Sequence, residues 1–203
     1  MAYNIFTKAV LATGLTFAVS SAFAADVPVQ SGASDGMLAN TCAGCHGTNG
    51  NSTGPSAPTI AGYNPEYFKF SMAAFASGEF PSTIMGRIAK GYTEDEIAQM
   101  ADFYAKQKFI PAKQEFDAAQ AKKADKLHDK YCEKCHEDGG ASPEDESGFL
   151  AGQWAPYLRM QLADYYAGSR EPSKKMKKKM EELHEKAGDA GVEALVNYYA
   201  SKQ

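Results

Sequence analysis

The chain has 203 residues, is 44% hydrophobic and 23% charged, and carries a formal net charge of −4. That composition excludes an intrinsically disordered chain, and its mild acidity argues against a nucleic-acid binder. The length allows one or two domains.

At the start, Lys8 precedes an apolar run from Ala9 to Val19, and Ala22-Phe23-Ala24 forms a small-x-small triplet. The pattern predicts a secretory signal over residues 1–24, cut after Ala24. The run is too short for a membrane anchor, which needs roughly 20 apolar residues. Loss of the segment removes Lys8 and takes the formal charge from −4 to −5. Export to the periplasm would put any cysteine in an oxidising compartment, where disulfides are the ordinary use.

The next element is "TCAGCHGTNG", Thr41 to Gly50, with Cys42, Cys45 and His46. Beyond it, Asn64-Pro65 predicts a helix start that Gly78 closes. Met85 falls in a stretch that reads as non-helical. Thr93 and Glu96 form a capping box, and the helix after it carries Ile97, Met100 and Tyr104 at helical spacing. Pro111, within "FIPAKQEF" (Phe109 to Phe116), interrupts the pattern and marks a seam.

Then the first motif returns as "YCEKCHEDGG", Tyr131 to Gly140, with Cys132, Cys135 and His136. A shift of 90 positions superimposes much more: "IAGYNPEYFKF" from Ile60 falls on "LAGQWAPYLRM" from Leu150, and Gly78 falls on Gly168. "PSTIM" (Pro81 to Met85) matches "PSKKM" (Pro172 to Met176) at a shift of 91, and Tyr104 matches Tyr199 at 95. The chain is thus a duplicated helical module with a four-residue insertion after the second methionine. Val192, Leu195, Val196 and Tyr199 give the second module its closing helix. The expected architecture is all-α, with a first domain over 25–112 and a second over 113–203. A unit of this size is thin for a self-sufficient core.

All four cysteines lie in the two pentapeptides, each followed directly by histidine. Cys-x-x-Cys-His is the attachment signature of c-type haem. Two thiols one helical turn apart meet the two vinyl groups of a porphyrin, and the next residue presents an imidazole to iron. Disulfides leave the histidines unexplained. So does a four-cysteine zinc site, whose pairs usually lie closer together. A thioredoxin-type motif would need only one Cys-x-x-Cys. The motifs therefore predict two covalently bound haems c: Cys42 and Cys45 with His46, and Cys132 and Cys135 with His136.

Methionine opposite histidine suits electron transfer, whereas an open position suits gas binding or catalysis. Met85, 39 residues after His46, is the first candidate. In the second module the spacing from His136 selects Met176, and counting back from the C-terminal tail selects Met180 as the alternative. His128 and His184 could instead make a bis-histidine haem, although both read as surface residues. Pro58, 12 residues after His46, has a carbonyl free to accept from the ligating ring, and its counterpart is Gly148. The run Lys174 to Lys179 is either a docking patch for an acidic partner or a solvated face balanced by Glu181 and Glu182. Tyr63, Phe70, Phe75, Trp154, Tyr165 and Tyr166 are read as haem-wall and core packing.

The stretches "STIMGRIAKGY" (Ser82 to Tyr92), "KLHDKYCEKCH" (Lys126 to His136), "LAGQW" (Leu150 to Trp154) and "GDAG" (Gly188 to Gly191) carry a resemblance. The chain resembles the c4-type dihaem cytochromes c, and more closely the dihaem subunit of flavocytochrome c sulfide dehydrogenase. That resemblance implies two tandem cytochrome c-like domains and a periplasmic heterodimer with a flavoprotein subunit holding FAD. It also implies electron transfer from the flavin, through the first module and then the second, to a soluble cytochrome c. This chain has no dinucleotide fingerprint of its own, so FAD is expected only in the partner. The alternatives are a free c4-like carrier feeding an oxidase, and a dihaem peroxidase, which the two methionine positions oppose.

Overall fold

The computed structural model describes residues 32–142 and 147–203. The predicted signal segment, 1–24, lies outside them. The described elements are helical, and Ala33–Gln203 cluster as one unit. No helix among the described residues is long and apolar enough to cross a membrane.

The first module contains α1 (Asp35–Asn40), α2 (Ala43–His46), α3 (Pro65–Ser77), α4 (Met85–Ile88) and α5 (Glu94–Ala105). Local chemistry sets several of the ends. Asn64 Oδ1 accepts from the N–H groups of Glu66 and Tyr67, Pro65 opens α3, and Gly78 closes it in the left-handed region. Thr93 and Glu96 form both halves of the capping box. Met85 is not in a non-helical stretch: it is the first residue of α4, and Ser82 Oγ takes the Gly86 N–H at 2.7 Å to start that turn.

The second module contains α6 (Ala118–Tyr131), α7 (Glu137–Gly140, a tight turn with Asp138 and Gly139 left-handed), α8 (Ala155–Tyr166) and α9 (Lys174–Ala200). Helix α9 runs 27 residues, with non-helical backbone at Gly188. The insertion therefore extends a helix: Met176, Met180 and Leu183 lie along one face, and Ser173 Oγ caps the start.

In each module the first and last helices pack together, α1 on α5 and α6 on α9. One core gathers Leu38, Phe68, Met72, Ile97, Met100 and Tyr104, and the other gathers Tyr131, Leu158, Leu183, Leu195, Val196 and Tyr199. The repeat is visible at hydrogen-bond level. Ile60 and Ala61 donate to Gly50 O, as Leu150 and Ala151 donate to Gly140 O. Both glycines have φ above +80°, and a Cβ on either would stand within 3 Å of the Tyr104 or Tyr199 ring.

The stretch between α5 and α6 is extended and held at both ends. Asn51 Nδ2 donates to Lys108 O and its Oδ1 accepts from Ile110 N, while Gln114 bonds Gln153 O and Ala155 N. The seam between modules is built from corresponding loops. Gln153, fully buried, accepts from Thr59 N at 3.0 Å and donates to Thr59 O at 2.6 Å, and Tyr63 packs on Phe149. The 90-residue shift maps Thr59 onto Phe149 and Tyr63 onto Gln153, so these are one contact viewed from its two sides. Such a self-complementary contact defines a pseudo-twofold axis.

Candidate haem sites

Cys42 caps the start of α2, Cys45 lies within it and His46 ends it, with His46 N donating to Cys42 O at 2.9 Å. The second motif repeats this turn, with His136 N donating to Cys132 O at 2.9 Å. One turn thus separates the thiols of each pair. Cys42 and Cys132 are half-buried, Cys45 and Cys135 are exposed, and none is in a disulfide. Among the described residues no three His, Cys, Asp or Glu side chains converge on a common metal position. The arrangement fits two separate thioether attachments better than a shared zinc site.

His46 is buried and His136 half-buried. His46 Nδ1 donates to Pro58 O at 2.8 Å, which leaves the lone pair on Nε2. Burial holds the His46 pKa below its ordinary value, and the Pro58 hydrogen bond partly opposes this. Burial, with His128 nearby, pushes His136 down to about 4, so its ring is neutral at working pH. His136 Nδ1 is buried and has no hydrogen-bond partner among the described residues. Gly148, the counterpart of Pro58, instead packs against Tyr63 and Tyr67.

Met85 is half-buried against the first core beside Phe75 and Tyr92. Met176 and Met180 are both half-buried on α9. Met180 lines a cavity of about 240 Å³ with Tyr165, Tyr166, Gly168 and Pro172. Burial and the neighbouring Cys132 thiol push the Tyr166 hydroxyl pKa up, which links this wall to the second attachment turn. Met176 sits one turn nearer the helix start, its N–H taken by Ser173 Oγ at 3.3 Å. Sequence spacing selects Met176, whereas the cavity wall points to Met180.

The bis-histidine alternative loses its first candidate. His128 is not at the surface but completely buried. Tyr199 OH lies 2.9 Å from its Nδ1, Glu133 Oε2 is bound to its Nε2, and its ring stacks on Tyr198. Neither ring nitrogen is left for iron. The signal was present in the sequence, since His128 falls on the core residue Leu38 at the 90-residue shift. His184 is exposed and bonded to Asp189 at 3.0 Å.

Of the aromatics expected to wall the sites, Tyr63 is buried at the seam, and Phe75 and Tyr165 lie toward the two sites. Phe70 is half exposed, and Trp154 crosses the seam to donate to Ser52 O. Sequence reasoning missed Gln153 and Arg170, both buried polar residues at or beside this seam.

No protein-family model matches the chain. It is 47% identical over 68 residues to the cytochrome subunit of sulfide dehydrogenase from Chlorobaculum tepidum, covering 34% of this chain and 61% of that one. The match thus spans less than two thirds of that relative's length. It is 31% identical over 70 residues to cytochrome c-554(548) of Halomonas halodenitrificans, covering 33% of this chain and 84% of that protein. The fold is similar to that of reduced recombinant cytochrome c4 from Pseudomonas stutzeri. The TM-score is 0.68 at 26% sequence identity, over 84% of this chain and 100% of that one.

Proposed function

The chain belongs to the c-type cytochromes, on the dihaem c4 plan, and from that premise we propose that it is the electron-transfer subunit of a periplasmic sulfide dehydrogenase. It would take electrons from an FAD-bearing flavoprotein subunit and pass them to a soluble cytochrome c. The signal segment over 1–24 and domains over 25–112 and 113–203 belong to the same proposal. The observation that carries it is the doubled Cys-x-x-Cys-His turn, with His46 buried and His136 half-buried at its two ends. The likeness to a sulfide dehydrogenase cytochrome subunit supports the choice of partner.

Covalently bound haem c supplies a one-electron carrier whose potential follows its axial ligands. In the proposal Cys42 and Cys45 hold one haem and Cys132 and Cys135 the other. His46 and His136 orient the irons from one face. Met85 and a methionine on α9, Met176 or Met180, close the opposite face and exclude small ligands. Two such sites hold the two electrons of a reduced flavin in turn. His46 is anchored to Pro58 O, and among the described residues His136 has no such anchor. The anchored imidazole is the stronger donor and favours the ferric state, which supports electron flow from the first module to the second.

The test is direct. The mature protein should carry the mass of two haems, and sulfide with the flavoprotein subunit should reduce both. A mass without haem, or with cystines in its place, overturns the cytochrome reading. Reduction by an unrelated donor alone overturns the sulfide assignment. The second reading is a free carrier of the c4 kind, which the full-length likeness to cytochrome c4 favours.

The acceptor side is also testable. Lys174, Lys175 and Lys178 are exposed and make no ion pair among the described residues, while Lys179 and Lys177 bond Glu182 and Glu171. Lys130 and Lys179 flank the Tyr131 ring beside Cys132, at 5.0 Å and 5.9 Å. This surface suits an acidic acceptor. Electron transfer to an acidic cytochrome should slow as salt rises, and exchanging Lys174, Lys175 and Lys178 for Glu should slow it about tenfold at low salt, read by stopped-flow.

A further inference from the structure

At the 90-residue shift, polar residues of the second module stand where the first has apolar ones. Arg170 replaces Phe80 and stacks on it across the seam, its Cζ 3.7 Å from the ring centroid. His128 replaces Leu38 and Glu133 replaces Ala43, and these two meet inside the second module, around the attachment turn. Completely buried, His128 holds that turn with its backbone and its ring. Its carbonyl accepts from Cys132 N at 2.8 Å and from Glu133 N at 2.9 Å. Its Nε2 bonds Glu133 Oε2, and its Nδ1 lies 2.9 Å from Tyr199 OH. The same Glu133 oxygen accepts from Gly139 N at 3.1 Å, so the carboxylate ties α6 to the turn beyond His136.

The arrangement leaves a net charge beside the thioether positions. With Nε2–H donated to Glu133 and Nδ1 accepting the Tyr199 proton, the imidazole is uncharged and both its nitrogens are satisfied. No lysine or arginine pairs with Glu133 among the described residues. The His128 hydrogen bond, and after it the Gly139 and Asp138 N–H groups, hold Glu133 below the ordinary carboxylate range, so it is ionised at working pH. Its field reaches Cys132, and also Tyr199, whose hydroxyl bonds the Cys132 sulfur. The first attachment turn has nothing of this kind. There Tyr104 OH donates to Ala39 O at 2.7 Å, the carbonyl that also takes Cys42 N, and Ala43 brings no charge.

We propose that Glu133, fixed by His128 and the Gly139 N–H, is a potential-setting residue of the second haem alone, an anionic charge carried between its two attachment cysteines. The proposal rests on the dihaem reading. A fixed negative charge favours ferric over ferrous iron, so it lowers the second potential and leaves the first. The Glu133 side chain is 40% exposed, and water on that side screens the charge and keeps the effect to a few-fold. An unanchored His136 makes the second iron the easier to reduce, and Glu133 limits that gain. An electron received from the first module is then passed to the acceptor rather than retained.

The experiment is a spectroelectrochemical titration of the holoprotein with Glu133→Gln and Glu133→Asp, each first shown to hold two haems. Met85→Ala marks which step belongs to the first haem. Glutamine keeps an oxygen for His128 and the Gly139 N–H but removes the charge. It should shift the second haem about threefold toward the ferrous state, or about 28 mV for a one-electron couple, with the first unmoved. Glu133→Asp, which keeps the charge, should shift it less than half as far. An unmoved second haem in the Gln variant, equal shifts at both haems, or an Asp variant that shifts as far as the Gln variant would overturn the proposal and leave the dihaem reading intact. Wild-type protein without two haems would instead sink that reading. A variant-free measurement is nitrogen nuclear magnetic resonance of the reduced wild-type protein. His128 should show a protonated Nε2 and a bare Nδ1, and a doubly protonated ring would cancel the carboxylate charge and overturn the proposal.

Discussion

Met85→Ala is expected to abolish about half of the methionine–iron charge-transfer absorption and to lower one haem potential by on the order of 0.2 V, a fraction of the roughly 0.8 V that axial ligands span. Alanine removes the sulfur, so water or a small ligand enters, and the iron loses the soft donor that favours its reduced state. Met85 is placed for this by α4, which begins at that residue and turns it toward the first core. On α9 the two candidates separate cleanly. Met180→Ala should abolish the other half of the band, because Met180 walls the cavity beside Tyr166. Met176→Ala should leave that half intact, because Met176 lies a turn nearer the helix start and does not line that cavity. A band lost in the Met176 variant and kept in the Met180 variant would return the assignment to the spacing argument. Redox titration with visible spectroscopy reads every case.

Gln153→Leu is expected to destabilise the holoprotein by roughly 2–6 kcal/mol, since it strands two buried groups at about 1–3 kcal/mol each. Gln153 and Thr59 are both buried, and the amide satisfies the N–H and the C=O of Thr59 at once. Leucine fills a similar volume but can satisfy neither. The thermal midpoint should fall by on the order of 10 °C, and the two modules should begin to unfold separately. Differential scanning calorimetry checks both effects. A midpoint within a degree or two of wild type would show that the reciprocal pair contributes nothing to holding the modules together.

The parts legible in the sequence were those with local causes. The attachment turns need only five adjacent residues, and the caps at Asn64, Gly78 and Thr93 need only four or five. The Pro58 carbonyl was legible too, from a 12-residue spacing and a missing N–H. What could not be read depends on residues far apart in the chain. Met85 reads as loop because its four-residue helix is too short to show periodicity, and it starts through a bond from Gly86 N to Ser82 Oγ. The length of α9 is hidden by Gly188, where the backbone leaves the helical region, and by Gly191, so that the lysine run and the closing helix read as separate pieces. His128 reads as a surface residue because its partners, Glu133 and Tyr199, come from a turn and from the far end of α9. The Met176–Met180 ambiguity arises because an insertion between two anchors shifts the count from each end. Comparing the repeats column by column would have exposed Arg170, where a cation replaces the aromatic Phe80.

The stacking of Arg170 on Phe80 says something about ancestry. Two identical chains meeting across a twofold must place the same side chain on each side of it. At this spot that would mean two guanidiniums facing each other with like charge, or two phenyl rings with none. Joining both copies in one polypeptide lifts that restriction, because each half can then mutate alone. The cation–aromatic couple of Arg170 and Phe80 therefore needs two halves that are not identical, and the tandem supplies them.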